Sequence, residues 1–260
     1  MAEELQRQIV SGELAPGSPL PSETELSQDF GISRTSVRNA IRELKERGLV
    51  RSEQGKGTFV RPQRPRVRRV NTSRYQWEKD RVKASEDERR STGGTERDTG
   101  LEMKELRFHV DYQTVPASGE LADALGIPED TPVLQRTYQT TANSEDAALS
   151  MSRSYIPLAI IEGNPDLLDS TNEPWPGGTQ HQLSTVGVEI AKIIDEVQAR
   201  PPLPDEREVL KIDATGVSVL ALRKTSIDTT GRVVEVADAV YAGDRTELVY
   251  EIPLKRWKRP

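Results

Sequence analysis

The 260-residue chain contains no cysteine, which excludes a disulfide framework, a thiolate zinc site and a cysteine nucleophile. It has two histidines, His109 and His181, and neither has the spacing of a metal ligand or a plausible triad context, so both are read as structural. No run approaches the roughly 18 apolar residues of a membrane span. The opening segment MAEELQRQIVSGEL is charged and lacks the apolar core of a signal peptide, so the expected compartment is the cytoplasm, with no membrane partner.

Hydrophobic residues make up 34% and charged residues 30%, which points to modest cores and one disordered stretch. At roughly 100–200 residues per domain the length suits two domains. The net charge of −6 argues at first against a nucleic-acid partner, but it is unevenly spread. Residues 1–70 hold 13 Lys and Arg against 9 Asp and Glu, leaving +4 there and −10 in the remainder. A basic head on an acidic body suits a chain whose head alone meets phosphate.

The head reads as three helices and a hairpin. Residues 3–12 place Leu5 and Ile9 on one helical face, with Gly12 and Pro16-Gly17 as the stop. Ser22 is an N-cap with Glu25 completing a capping box, Leu26 and Phe30 mark the buried face, and Gly31 ends this second helix. The third starts at Ser33 and runs to about Arg47, with Val37, Ala40, Ile41 and Leu44 as its packed stripe. Two helices joined at Gly31-Ile32 make a helix-turn-helix, whose second member presents its N-terminal residues to base edges. That puts Arg34, Thr35, Ser36 and Arg38 at DNA. Beyond Gly48, Leu49-Val50 and residues 58–60 form a hairpin whose tip is Gln54-Gly55-Lys56-Gly57, where glycines admit a phosphate closely and Lys56 adds charge. Taken singly, a helix with two arginines is a solvated helix and Gly-Lys-Gly an ordinary turn. The ordered series of cap, turn, basic helix and glycine-tipped hairpin is the specific signal.

Along residues 3–61, the PGSPLPSE entry, the SRTSVR helix start and the GLVRSEQGKGTFV hairpin resemble the DNA-binding domain of the GntR family. The resemblance implies a winged helix-turn-helix that binds a two-fold symmetric double-stranded operator as a homodimer. It puts Arg34, Ser36 and Arg38 of the recognition helix and Gln54, Gly55 and Lys56 of the wing on DNA. Thr24 stands where the family often has a DNA-contacting arginine and Asn39 where Glu is usual, so no operator sequence carries over.

Residues 62–100 are expected to be a linker, partly disordered. The stretch 61–70, RPQRPRVRRV, reads as an extended basic arm, and 82–100 has almost no apolar residues and no usable period.

From residue 101 to 260 the pattern is mainly alternating β, with strands expected in ELRFHVDYQTV, VLQRTYQTT, ALSMSRSYIP, VEIAKIIDEVQA, SVLALRKTSID, VVEVADAVYAG and TELVYEIPL. Short helices are expected after Ser118, over 178–187 and in PDEREVLKI. The whole chain is thus α+β with two domains, the second an antiparallel sheet. LADALGIPEDTPVLQRTYQT, SRSYIP and VVEVADAVYAGDRTEL resemble the UTRA effector domain of the HutC subfamily, a chorismate-lyase-like fold. The resemblance implies a small-molecule effector held between the sheet and its covering segments by Arg136, Tyr138, Ser154, Tyr155, Glu235 and Tyr241. In that subfamily the segment equivalent to 82–100 can close over an effector, and disorder with no such role is the alternative. Tyr138 replaces a second basic residue of many relatives, and Ser152 a common Glu, which favours an anionic or amphipathic metabolite over a defined phosphosugar. The alternative for Arg136, on a face shared with Leu134 and Tyr138, is a structural ion pair with a carboxylate such as Glu235.

The expected function is therefore a ligand-responsive repressor with no cofactor, no metal and no catalytic residue. A constitutive regulator whose body only dimerises is the alternative. An enzyme on the lyase-like fold is disfavoured because no nucleophile–base pair is in view, and fold does not carry function.

Overall fold

The computed structural model describes residues 1–61, 67–212 and 216–255. The head begins with three helices, α1 (Ala2–Ser11), α2 (Glu23–Asp29) and α3 (Arg34–Glu46). Their spacing puts Leu5, Leu26, Val37, Ile41 and Leu44 in one core with Leu20, Val50 and Val60. Phe30 and Ala40 are only partly covered. Ser22 forms the full capping box with Glu25, and the Ser33 hydroxyl accepts the Ser36 amide at 3.1 Å to start α3. Ser33→Ala is expected to lower stability by about 1 kcal/mol, read as a lower denaturant midpoint at unchanged m-value. A change in m instead would mean the cap also shapes the unfolded ensemble.

The hairpin follows as β1 (Val50–Glu53) and β2 (Gly57–Val60), antiparallel with Val50 opposite Val60. The turn needs left-handed backbone at Gly55 (φ 76°) and Gly57 (φ 116°), conformations that favour glycine. A third segment joins this small sheet. The Leu20 amide donates to the Thr58 carbonyl (2.7 Å) and Val60 to that of Ser18 (2.8 Å), tying the entry loop to the wing.

The body is one antiparallel sheet in the order β4-β5-β6-β9-β8-β7, made of β4 (Leu106–Pro116), β5 (Pro132–Ala142), β6 (Ala148–Pro157), β7 (Ile190–Arg200), β8 (Val219–Asp228) and β9 (Val233–Ala242). Two three-stranded meanders meet where β6 pairs β9. Register then decides which side chains share a face, because alternate residues of a strand point to opposite sides. Tyr112 lies opposite Arg136, Arg136 opposite Ser154, and Ser226 opposite Glu235. Helix α7 (Gly119–Leu125) covers the reverse face with Ala122 and Leu125 against Val133 and Val236. After β6 come α8 (Leu158–Ile161) and α9 (Gly178–Ser184), whose Ile161 and Leu183 pack on Leu134 and Ile156 of the Arg136 side. The short α10 (Pro204–Val209) leads to Leu210 and Ile212, which close on Val219 and Ala242. No described helix is long and apolar enough to cross a membrane.

The segment expected as a linker departs from that reading. Residues 62–66 of the basic arm lie outside the described residues, but 67–99 are folded onto the body. They form β3 (Val67–Val70), α4 (Asn71–Arg81), α5 (Glu86–Ser91) and α6 (Gly94–Thr99). The expected final strand of the sheet is also different. Only Thr246–Val249 is extended, as β10, and it leaves the sheet to pair in parallel with β3. Both differ from the expectation because polar contacts hold this layer. Tyr75 donates to Asp195 at 2.9 Å, Asn71 to the same carboxylate at 2.7 Å, and Lys79 to the Ile190 carbonyl at 2.7 Å. Arg69 and Arg74 both pair with buried Asp98. Hydrophobic periodicity does not register such contacts.

Candidate functional site

On the head, the buried stripe of α3 turns Arg34, Thr35, Ser36 and Arg38 outward, and all four are exposed. Arg38 is two-thirds exposed and its Nε donates to Glu23 at 2.8 Å. The Ser36 hydroxyl sits 3.0 Å from that of Ser33. On the wing, Gln54, Gly55 and Lys56 are exposed, and Lys56 has Glu53 at 3.4 Å. Exposed pairs of this kind are weak and exchange readily for a phosphate. Lys56→Ala is expected to weaken binding equally on cognate and scrambled duplex, and to flatten the salt slope of log affinity by about 1 per lost phosphate contact. A loss confined to the cognate sequence would instead give Lys56 a base-reading role.

In the body, Arg136 is 2% exposed. Its Nε and one terminal nitrogen donate to the Ser154 hydroxyl at 2.8 and 2.7 Å, the other to Gln182 at 2.6 Å, and it pairs with Glu235 at 2.9 Å. Glu235 also receives Lys224 at 2.9 Å and the Ser226 hydroxyl at 3.0 Å. Burial by itself would raise the Glu235 carboxyl, but Lys224 and Arg136 outweigh it and hold it below its ordinary range. Burial likewise opposes the charged guanidinium, yet the carboxylates of Glu235 and Glu173 keep it protonated. Beside it, Tyr138 donates to Glu173 at 2.9 Å, and burial followed by the Glu173 charge pushes its phenol well above the usual range.

Arg136, Ser154 and Glu235 are thus brought together as a packed ion pair with its hydroxyl partner rather than as open ligands. Tyr155 is not with them. It follows Ser154 on the strand, so the pleat turns it to the reverse face against the α7 cluster. Lys224, Ser226, Gln182 and Glu173 complete the network and were not foreseen. The i, i+2 spacing of Lys224 and Ser226 was the available signal.

On the same side of the sheet lies a cavity of about 690 Å³, floored by Tyr138, Ser150, Ser152, Lys224 and Tyr241; of the six expected effector residues only Tyr138 and Tyr241 line it. Its cover is the 67–99 layer, through Trp77, Arg81 and Arg89, and the 171–180 segment, through Glu173 and Trp175. Arg81 donates to the carbonyls of Glu88 (2.5 Å) and Thr92 (2.8 Å) and stacks on Trp77 at 4.6 Å. Arg89 donates to the Pro176 carbonyl at 3.3 Å and to that of Ala84. Neither guanidinium has a carboxylate ion-pair partner among the described residues. His181 accepts the Trp175 indole N–H at 2.9 Å, and burial followed by the Arg89 charge lowers its pKa. No group of three or more His, Asp or Glu side chains converges on a metal position among the described residues.

Comparison with known families matches residues 1–60 to the gntR family of bacterial regulatory proteins and residues 107–247 to the UTRA domain. The transcriptional repressor NagR of Bacillus subtilis is 29% identical over 249 residues, covering 95% of this chain and 91% of its own. An HTH-type transcriptional regulator of Streptomyces coelicolor is 30% identical over 252 residues, with 96% and 90% covered. A crystal structure of a GntR-family transcriptional regulator matches with a TM-score of 0.63 at 26% identity, over 98% of this chain and 96% of that one.

Proposed function

The chain belongs to the GntR family of bacterial regulatory proteins and carries a UTRA domain behind its DNA-binding head, and on that premise we propose that it is a dimeric repressor controlled by an anionic small molecule. It is a transcription regulator and not an enzyme. It acts in the cytoplasm, where bacterial DNA is. The kinship with a named repressor supports the sign of regulation.

The observation that carries the proposal is the identity of the cavity's cover. The layer that closes the cavity, from Arg69 to Glu96, is also the next described stretch of chain after the head. A ligand touching both sheet and cover therefore bears on the position from which the head is tethered. The two heads of a dimer read half-sites about one DNA turn apart. A ligand with different affinity for two cover positions shifts their populations, and with them the fit to that spacing. Arg81 and Arg89, lacking carboxylate partners, supply the anion-binding charge.

The test is an anisotropy titration against the DNA upstream of the protein's own gene, repeated with a panel of phosphorylated and carboxylated metabolites. Specific binding released by one anion is the expected result. A second reading, constitutive binding with a body that only dimerises, draws on the Arg136–Glu235 pair, which is complete without any ligand. Operator affinity unmoved by every anion would favour it.

A further inference from the structure

One ionisable group on the cavity wall has no role in the reading above. Glu96, on α6, is 8% exposed, and its Oε1 has no hydrogen-bond partner among the described residues. A buried carboxylate without a partner is costly, and native structures retain one where something else supplies the missing donor. The surroundings hold it in place. A Cβ at Gly93 would stand 2.5 Å from Glu96 Oε2, so the absence of a side chain there lets the carboxylate keep its position.

The other acids of the cavity are accounted for. Glu78 pairs with Arg74 at 3.0 Å. Glu173 accepts Tyr138 and Gln182, each at 2.9 Å, and the Trp175 amide at 2.7 Å. Among the cations, Arg69 and Arg74 pair with Asp98, Arg74 also with Glu78 and the Gly94 carbonyl although its buried Nε has no partner among the described residues, Arg90 with Glu86, and Lys224 with Glu235. What remains is the orphan carboxylate oxygen of Glu96 and the guanidiniums of Arg81 and Arg89, which have no carboxylate ion pair among the described residues, all three lining one cavity. A simple anion would satisfy the arginines and leave Glu96 as it is. A neutral polyol would neutralise neither.

We propose that Glu96 selects an effector bearing a protonated amine as well as an anionic group, the amine held by Glu96 and the anion by Arg81 and Arg89. The proposal rests on the reading of this cavity as the effector site and adds the class of effector. An ammonium group donates to the orphan oxygen and cancels its charge, which a hydroxyl cannot do.

The test compares matched pairs on the full-length protein: phosphoethanolamine with ethyl phosphate, glucosamine 6-phosphate with glucose 6-phosphate, and β-alanine with propionate. Binding is followed by calorimetry and by the fluorescence of Trp77 and Trp175, which line the cavity. At least one aminated member is expected to bind about tenfold or more tighter than its partner, the scale of one charge-assisted hydrogen bond. In Glu96→Gln that preference should fall below about threefold, with the affinity of the amine-free member retained. Binding of wild-type protein without amine preference overturns the proposal, needs no variant, and leaves the anion reading standing. Preference that survives in Glu96→Gln overturns it too. Binding by no member of any pair overturns both the proposal and the anion-site reading beneath it.

Discussion

Arg38→Ala is expected to weaken operator binding by about 30-fold to 10⁴-fold while barely changing affinity for scrambled DNA. The side chain is two-thirds exposed on the outward face of α3, one turn from Arg34, and in the free protein only Glu23 engages it. An arginine that reads a guanine edge contributes about 1–3 kcal/mol of discrimination, and the proposed dimer on a two-fold operator would lose two such contacts, hence about 2–6 kcal/mol. Anisotropy titrations at one fixed salt concentration, on cognate and scrambled duplexes, separate this from loss of charge. Arg42, equally exposed but paired within its own helix to Asn39 and Glu46, is the control. Equal loss on both duplexes would make Arg38 a phosphate contact. No loss on either would mean that α3 does not enter the groove by this face.

Glu235→Leu is expected to cost about 3–5 kcal/mol of stability, and Arg136→Leu clearly less. The asymmetry follows from the network. Removing Glu235 leaves buried Arg136 and half-buried Lys224 beside each other without their shared anion. Removing Arg136 leaves Glu235 with Lys224 and the Ser226 hydroxyl. At about 2–4 °C per kcal/mol for a chain of this size, Glu235→Leu should lower the melting point of the body by about 6–20 °C. Equal costs for the two variants would show that Lys224 does not share the anion.

The same carboxylate sets a pH dependence. Its folded pKa is held below the ordinary glutamate value of 4.5, so its stabilisation is complete above that value and is lost as pH falls through the lowered pKa. Glu235→Gln should therefore melt below wild type at neutral pH, and the gap should close progressively under about pH 4.5. Asp228 behaves alike, its carboxyl held at about 2 chiefly by the Thr230 hydroxyl in the β8–β9 turn and by amides of the same turn. The gap should thus be read against a wild type that is itself losing stability in strong acid.

The two halves of the chain differ in how far they could be read in advance. In the head, every decisive signal is local. Ser22 and Glu25 are three residues apart, the stripe from Val37 to Leu44 repeats at helical spacing, and Gly55 and Gly57 meet a turn that only their neighbours define. Such signals are complete within a dozen residues, so helix-turn-helix and wing were legible, and the exposed face of α3 followed from its buried one. The strands of the body were legible for the same reason, through their alternation. Strand pairing across β6 and β9 was not, and neither was the departure of β10 to β3, because neither register nor partner is written in a period of two.

The candidate effector site depended most on the fold. Arg136 and Glu235 are 99 residues apart in the chain, and Tyr75 and Asp195 are 120 apart, yet each pair is within hydrogen-bond distance. Ser154 and Tyr155 are adjacent in sequence and lie on opposite faces of the sheet. By itself the sequence determined that there is a DNA-reading head, a β-rich body and a polar stretch between them. Only the tertiary structure decided that this stretch is a folded cover, that Arg136 is already paired, and that Glu96 is not. The physical reason is that local propensity and periodicity are properties of neighbours along the chain, whereas charge compensation in a buried site belongs to whichever distant residues the sheet register brings together.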